Sequence, residues 1–167
     1  MKTVINVALA GLGGQGVIKA SDVLSEAAFR AGHEVKKSEV HGMSQRGGSV
    51  CSDVRFGALV LSPTVPPGET DYLVVLAADQ VEVNLCQLRP AGVLIAPDRI
   101  DPARLSNRKS LNIALLGALS SHLDIPQEAW LGAIHACFPE KLRAANEQAF
   151  AEGRRSANPT QPSEPVL

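Results

Sequence analysis

Val4-Ile5-Asn6-Val7-Ala8-Leu9-Ala10-Gly11-Leu12-Gly13-Gly14-Gln15-Gly16-Val17 decides how this chain folds. Val4 to Ala10 is an apolar run closed by glycine, the signature of a buried parallel strand. Gly11, Gly13 and Gly16 then fall in a G-x-G-x-x-G spacing. From Val17 to Ala31 the period changes from two to 3.6: Val17, Ala20, Leu24, Ala27, Ala28 and Ala31 share one helical face, and Lys19, Asp22, Glu26 and Arg30 the other. Glu26 and Arg30 stand in the favourable i,i+4 order, and Gly32 occupies the place of a C-capping glycine. The opening predicts strand, glycine turn, helix.

Working outward, Glu34–Val40 predicts a polar second strand, a sheet edge or a strand end rather than a buried centre. His41-Gly42-Met43-Ser44-Gln45-Arg46-Gly47-Gly48 is a second glycine-rich loop. Ser49–Phe56 alternates with period two, and Gly57 is expected to turn it into Ala58–Leu61 as a hairpin. Tyr72–Ala77 reads as the central strand. Val81–Leu88 reads as a short helix capped by Asp79, and Val93–Ala96 as a further strand. Helices are expected over 111–123, 126–136 and about 138–152. The sum is an α/β fold: a three-layer, open, mostly parallel, Rossmann-like sheet with an antiparallel hairpin, flanked by helices. Residues 1–153 form the domain, and the proline-rich stretch 154–167 is expected to be a disordered tail.

Composition narrows the function. The 167 residues carry a net charge of −1, a pI near 6.4 and 4% aromatics. Such a chain has neither the basic field nor the stacking surface of a general nucleic-acid binder, so no nucleic-acid partner is expected. No apolar run reaches the 18–20 residues that span a bilayer, so no membrane partner is expected. The apolar start runs directly into the glycine motif, which argues against a cleaved signal. Cys51, Cys86 and Cys137 are odd in number and widely spaced. They suit a reducing, cytoplasmic compartment and form no metal framework.

Two loops are candidate binding elements. The first holds Gly11, Gly13, Gly14, Gln15 and Gly16. Its glycines permit a tight turn and close backbone approach, and the helix behind it offers free N–H groups. A dinucleotide site also wants an acid about 20 residues on. That place holds Val35-Lys36-Lys37-Ser38, with Glu39 nearest, and the lysines suit a phosphate better than a ribose hydroxyl. NAD, a phosphate group such as the nucleotide end of coenzyme A, and a purely structural or partner-docking turn all stay open. The second loop holds His41, Gly42, Met43, Ser44, Gln45, Arg46, Gly47 and Gly48. Arg46 could grip a carboxylate or phosphate, or form a structural ion pair; His41 could titrate near neutrality, or make a surface hydrogen bond. His33, His122 and His135 are separated and read as structural. Trp130 and Phe138 read as core or interface. No nucleophile–base–orienter set and no metal-ligand cluster is visible, and no catalytic residue is assigned. The chain therefore reads as a binding scaffold.

Gly11–Val17, together with Ser38-Glu39-Val40-His41-Gly42-Met43-Ser44-Gln45-Arg46-Gly47-Gly48-Ser49-Val50, resembles the gamma-type subunit of 2-oxoacid:ferredoxin oxidoreductases. The second loop is most similar to that of the indolepyruvate oxidoreductase beta subunit. Asn112 with Leu116-Gly117, and Lys141, Asn146, Ala149-Phe150 and Gly153, resemble the family's C-terminal pattern. The resemblance covers residues 4–153, with a stretch between Ala96 and Leu111 shorter than the family's. It implies a non-catalytic subunit of a complex that oxidatively decarboxylates a 2-oxoacid with coenzyme A and passes electrons to ferredoxin. Thiamine diphosphate and [4Fe-4S] clusters would then reside on a large partner subunit. The alternative is a stand-alone nucleotide- or phosphate-binding Rossmann-like protein.

Overall fold

The computed structural model describes residues 4–42 and 47–157. Its elements are β1 (Val4–Leu12), α1 (Val17–Arg30), β2 (Glu34–His41), β3 (Ser49–Gly57), β4 (Thr70–Val75), α2 (Val81–Asn84), β5 (Leu88–Ile95), α3 (Leu111–Ser120), α4 (Gln127–Cys137) and α5 (Glu140–Ala157). The five strands form one open sheet in the order β2-β3-β1-β4-β5. β1, β4 and β5 are parallel neighbours, and β3 runs antiparallel to both β1 and β2. Four of the five strands therefore point the same way, with β3 alone reversed.

The hairpin is a different one from that expected. Ser49–Gly57 pairs back onto Glu34–His41, and Ala58–Leu61 forms no strand. The reason is where apolar surface can be buried. Val54 and Phe56 must face the core beside Val7 and Ile5, and only insertion of β3 next to β1 achieves that. The segment after Gly57 instead wraps the opposite face of the sheet. Arg55 donates to the Ser62 and Thr64 carbonyls, and the Val65 N–H donates to Asp53. β2 is left at the edge, its residues half-buried or exposed, as its polarity predicts.

The long helices α1, α3, α4 and α5 all join one core, on the sheet face that carries Val7, Leu9, Val54, Phe56, Val74 and Ile95. α3 is buried at nine of its ten positions because the sheet lies on one side of it and α5 on the other. Trp130 and Phe150 are core residues, their rings 5.3 Å apart. The opposite face buries only a small cluster, Ala8, Leu73 and Val75, against Val81, Leu88 and Leu94. The third layer is thus reduced to the stretch 78–87: α2 between two short 3₁₀ turns, Ala78–Gln80 and Leu85–Gln87. Asp79 lies inside the first turn and caps nothing. β5 begins at Leu88, earlier than the Val93 expected, because Arg89-Pro90-Ala91-Gly92 continues the strand through a register shift rather than ending a helix. The short stretch after β5 holds three 3₁₀ turns within residues 97–110, and β5 remains the sheet edge.

α5 continues four residues beyond Gly153, to Ala157, past the end near 152 that the periodicity suggests. Arg155 explains part of this, pairing with the buried Glu152 at 2.6 Å. Residues 158–167 of the expected tail lie outside the described residues.

α3 and α5 cross at two glycines. A Cβ added at Gly153 would lie 1.8 Å from the Ala114 carbonyl oxygen, and one at Gly117 would lie 2.1 Å from that of Phe150. Any side chain there forces the helices apart. Gly117→Ala or Gly153→Ala should each cost about 3 kcal/mol or more. That corresponds to a fall in melting temperature of roughly 6–12 °C for a domain this size, measurable by thermal unfolding. A fall of less than 2 °C would contradict the packing described.

Candidate functional site

β1, β2, β4 and β5 all end on one rim of the sheet, and β3 begins there. In open α/β sheets this carboxyl rim is where ligands and partners gather. Both glycine loops sit on it. Gly11 and Leu12 are the last residues of β1, and Gly13 to Gln15 make the turn into α1. The second loop is the hairpin connection, residues 42–48. The loops are joined directly: the Gly13 N–H donates to the Gly48 carbonyl at 2.9 Å. A Cβ on Gly13 would stand 3.3 Å from the Gly47 nitrogen. The Gly42 N–H closes the hairpin end on the Ser49 carbonyl at 2.8 Å. Met43, Ser44, Gln45 and Arg46 lie outside the described residues.

The first loop is built from its own side chain and one brought from far along the chain. Gln15 folds back, and its Oε1 accepts the Leu12 N–H at 2.7 Å. Gln15 therefore holds the turn together. Gly14 and Gly16 have φ of +87° and +84°, the left-handed region that side chains resist. Asn112 of α3 donates from Nδ2 to the Gly16 carbonyl at 3.1 Å. This pins the start of α1 to the helix behind it. Asn112 is the functional neighbour that periodicity could not supply, since it lies 96 residues away in sequence.

The arrangement departs from a dinucleotide site. There, the second strand flanks the first, so the acid at its end reaches a ribose. Here β3 lies between β1 and β2. Two strand steps of about 4.8 Å put β2 roughly 10 Å from β1. Lys36 and Lys37 do not form a phosphate pair either. Lys36 pairs with Glu34 at 3.4 Å on one face of β2, whereas Lys37 on the other face reaches Asp22 at 2.5 Å and Glu39 at 2.6 Å. Burial pulls the Lys37 pKa down, but the hydrogen bonds to Asp22 and Glu39 outweigh it and hold the ammonium above the ordinary lysine range. The hydrogen bond from Lys37 correspondingly keeps the Glu39 carboxyl low. His41 stands 3.6 Å from Glu39 and is exposed.

Beneath the rim, Cys51 of β3 contacts Gln87 at 3.6 Å, and burial pushes its thiol up to about 11. It stays protonated at neutral pH and is no nucleophile. His33 stacks on Phe56, Tyr72 on His122, and His135 pairs with Glu147, so these histidines support packing. The described residues contain no group of three or more His, Cys, Asp or Glu able to hold a metal ion.

Residues 6–156 match the family model described as pyruvate ferredoxin/flavodoxin oxidoreductase. The chain belongs to that family. Among curated relatives, it is 38% identical over 140 residues to the indolepyruvate oxidoreductase subunit IorB of Thermococcus kodakarensis. That match takes in 82% of this chain and 66% of the relative, so the chain spans about two thirds of the relative's length. The IorB of Methanothermobacter thermautotrophicus is 29% identical over 89% of this chain and 95% of that protein. Among solved structures, the gamma subunit of a keto/oxoacid ferredoxin oxidoreductase from Geobacter sulfurreducens superposes with a TM-score of 0.71 at 26% identity. It covers 92% of this chain and 98% of that one. The 2-oxoglutarate:ferredoxin oxidoreductase of Magnetococcus marinus, solved with 2-oxoglutarate, coenzyme A and succinyl-CoA, shares the fold at TM-score 0.79 and 22% identity, over 99% of this chain and 33% of that one.

Two outcomes test this oxidoreductase-family rim. Gly16→Ala should cost about 1–2 kcal/mol for the left-handed backbone. It should cost about 1 kcal/mol more because the new Cβ, 2.5 Å from Asn112 Nδ2, breaks that hydrogen bond. In an Asn112→Ala background the second part should vanish, which a double-mutant unfolding cycle reads directly. Strictly additive costs would disprove the pin. The second test uses Cys51. Its folded pKa is raised, so the stability tied to the neutral thiol is complete below the unfolded value of 9.0. It is lost as pH rises through about 11. Melting curves from pH 8 to 11 should fall more steeply for the wild type than for Cys51→Ala.

Proposed function

We propose that this chain is the gamma-type subunit of a 2-oxoacid oxidoreductase complex acting on an arylpyruvate such as indolepyruvate. The complex would convert the 2-oxoacid and coenzyme A into an acyl-CoA and carbon dioxide, with electrons leaving to ferredoxin. Thiamine diphosphate and iron–sulfur clusters would be carried by a large partner subunit in the same cytoplasmic assembly. The observation that carries this reading is the backbone bond from Gly13 to Gly48. It fuses two glycine loops into one side-chain-poor rim, and their combined sequence pattern resembles that of gamma-type subunits of such complexes.

The chemistry of the chain supports an accessory role. A decarboxylase needs a group that accepts the electron pair left by carbon dioxide, which ordinary side chains cannot do and the cationic thiazolium ring of thiamine diphosphate would do. Clusters need grouped thiolates, and Cys51, Cys86 and Cys137 are set apart in β3, in the turn 85–87 and in α4. What this chain offers is shape. Gly13, Gly14, Gly42 and Gly47 are exposed and bring bare backbone to the rim, where it can meet a partner's loop or a coenzyme A phosphate; Gly11 is buried in the ladder with Val50 and the Gly16 carbonyl is held by Asn112, so these two shape the turn from beneath. Gln15 holds the turn, His41 is exposed at the end of β2, and Met43, Ser44, Gln45 and Arg46 belong to the proposed binding loop by sequence.

The complex purified with this chain should reduce ferredoxin only when both indolepyruvate and coenzyme A are present, and the isolated chain should reduce none. Gly13→Val places γ-methyls against Gly47. It should lower assembly at least tenfold while shifting the melting temperature by only a few degrees. An isolated chain that is stabilised by NAD and joins no thiamine-containing subunit would overturn the proposal in favour of a stand-alone nucleotide binder.

A further inference from the structure

Among the described residues six large apolar side chains are exposed: Phe29, Val40, Leu59, Leu61, Val83 and Leu85. Only Phe29 belongs to the helical side. Val40 is on the open face of the sheet, since its register runs through Cys51 to Ala10. Val83 and Leu85 ride on the stretch 78–87 that thinly covers that face, and Leu59 and Leu61 on the segment wrapped across it. Val40 and Val83 are each 66% exposed. Monomeric proteins seldom gather apolar side chains on one face unless something covers them.

The relief of the face suits interdigitation. The stretch 78–87 stands as a ridge with a trough on either side. A trough of about 170 Å³, lined by Val40, Val50, Cys51 and Val83, separates it from the hairpin end. A larger one of about 680 Å³, lined by Val81, Val93, Leu94, Ala96 and Pro97, separates it from the open edge of β5. The first trough also includes Gly42 and Ser49, so the face is continuous with the glycine rim.

Charge selects the occupant. Three described cations on this face are engaged: Lys36 by Glu34, Arg89 by Asp71, and Arg55 by Asn6 and two carbonyls. Asp98 and Arg99 both line the far trough, one charge of each sign. Asp79 and Glu82, both exposed beside Val83, make no ion pair with any described residue. Two carboxylates that make no ion pair with a described cation therefore flank an apolar ridge.

We infer that the face from Val40 across Val83 to Leu85 docks the partner subunit, which presents aliphatic or aromatic side chains flanked by lysine or arginine. This rests on reading the chain as a subunit. Desolvating the ridge supplies the attraction, and the flanking carboxylates set orientation and association rate.

The test uses the full chain and its co-produced thiamine- and iron–sulfur-containing subunit, with the dissociation constant measured at 50 and 300 mM salt. Val83→Glu should raise it at least tenfold. Asp79→Lys with Glu82→Lys should raise it at low salt and much less at high salt. Phe29→Glu, on the other side, should leave it unchanged. Hydrogen exchange over residues 78–87 of the wild type should slow in the complex, a readout that needs no variant. Wild-type binding with unaltered affinity in the Val83 and Asp79/Glu82 variants, or with unslowed exchange, overturns the docking face while leaving the proposed function standing. A dimer of this chain alone, dispersed by Val83→Glu, assigns the face to a second copy and also overturns it. Failure of the wild type to bind that subunit at all removes both.

Discussion

The hydrogen bond from the Gly13 N–H to the Gly48 carbonyl, 2.9 Å long, organises the rim of this protein. It brings two main chains so close that a Cβ on Gly13 would press on the Gly47 nitrogen at 3.3 Å. On one side it ties down the turn that launches α1. On the other it holds the end of the β2–β3 hairpin. The turn is in turn secured by Gln15 from within and by Asn112 from α3. A contact at the edge of the sheet is thereby linked to the helical core.

The reversed strand β3 changes what the glycine motif can be used for. In a dinucleotide fold the space above the motif is left for a pyrophosphate, and the neighbouring strand supplies an acid. Here the neighbour is β3, and its loop brings Gly47 and Gly48 against Gly13. The same spacing of glycines that elsewhere admits a ligand's phosphates here admits a second stretch of polypeptide. The resulting surface is made of backbone, which suits a subunit that completes another's site better than one with a catalytic set of its own.

The two faces of the sheet are unequally dressed. Four helices bury one face, and the α3–α5 crossing is so close that Gly117 and Gly153 admit no side chain. The other face has a three-residue buried cluster, a short ridge and a wrapped segment. Such asymmetry is expected of a domain whose core is finished on one side only within its own chain, with the remaining apolar surface left for association.

Much of this was legible from residues 4–32 alone. A continuous apolar run can be buried only as an inner strand, the change to a 3.6 period marks the helix, and Gly16 and Gly32 stand where positive φ is needed. Local backbone chemistry determined those elements, and the same holds for α3 to α5. The partner of Ser49–Gly57 was a different matter. Period two says that a strand exists but not which strand it joins, and the choice fell to whichever pairing buried Val54 and Phe56 beside β1. Likewise Arg89–Gly92 carries turn residues, yet the ladder with β4 drew it into β5. Asp79 looked like a cap until the short helix shrank to one turn. Sequence thus determined the elements, because backbone dihedrals and side-chain periods are local. The tertiary structure alone decided the neighbours, the meeting of the two glycine loops and the bare sheet face, because those depend on burying apolar area contributed by residues far apart in the chain.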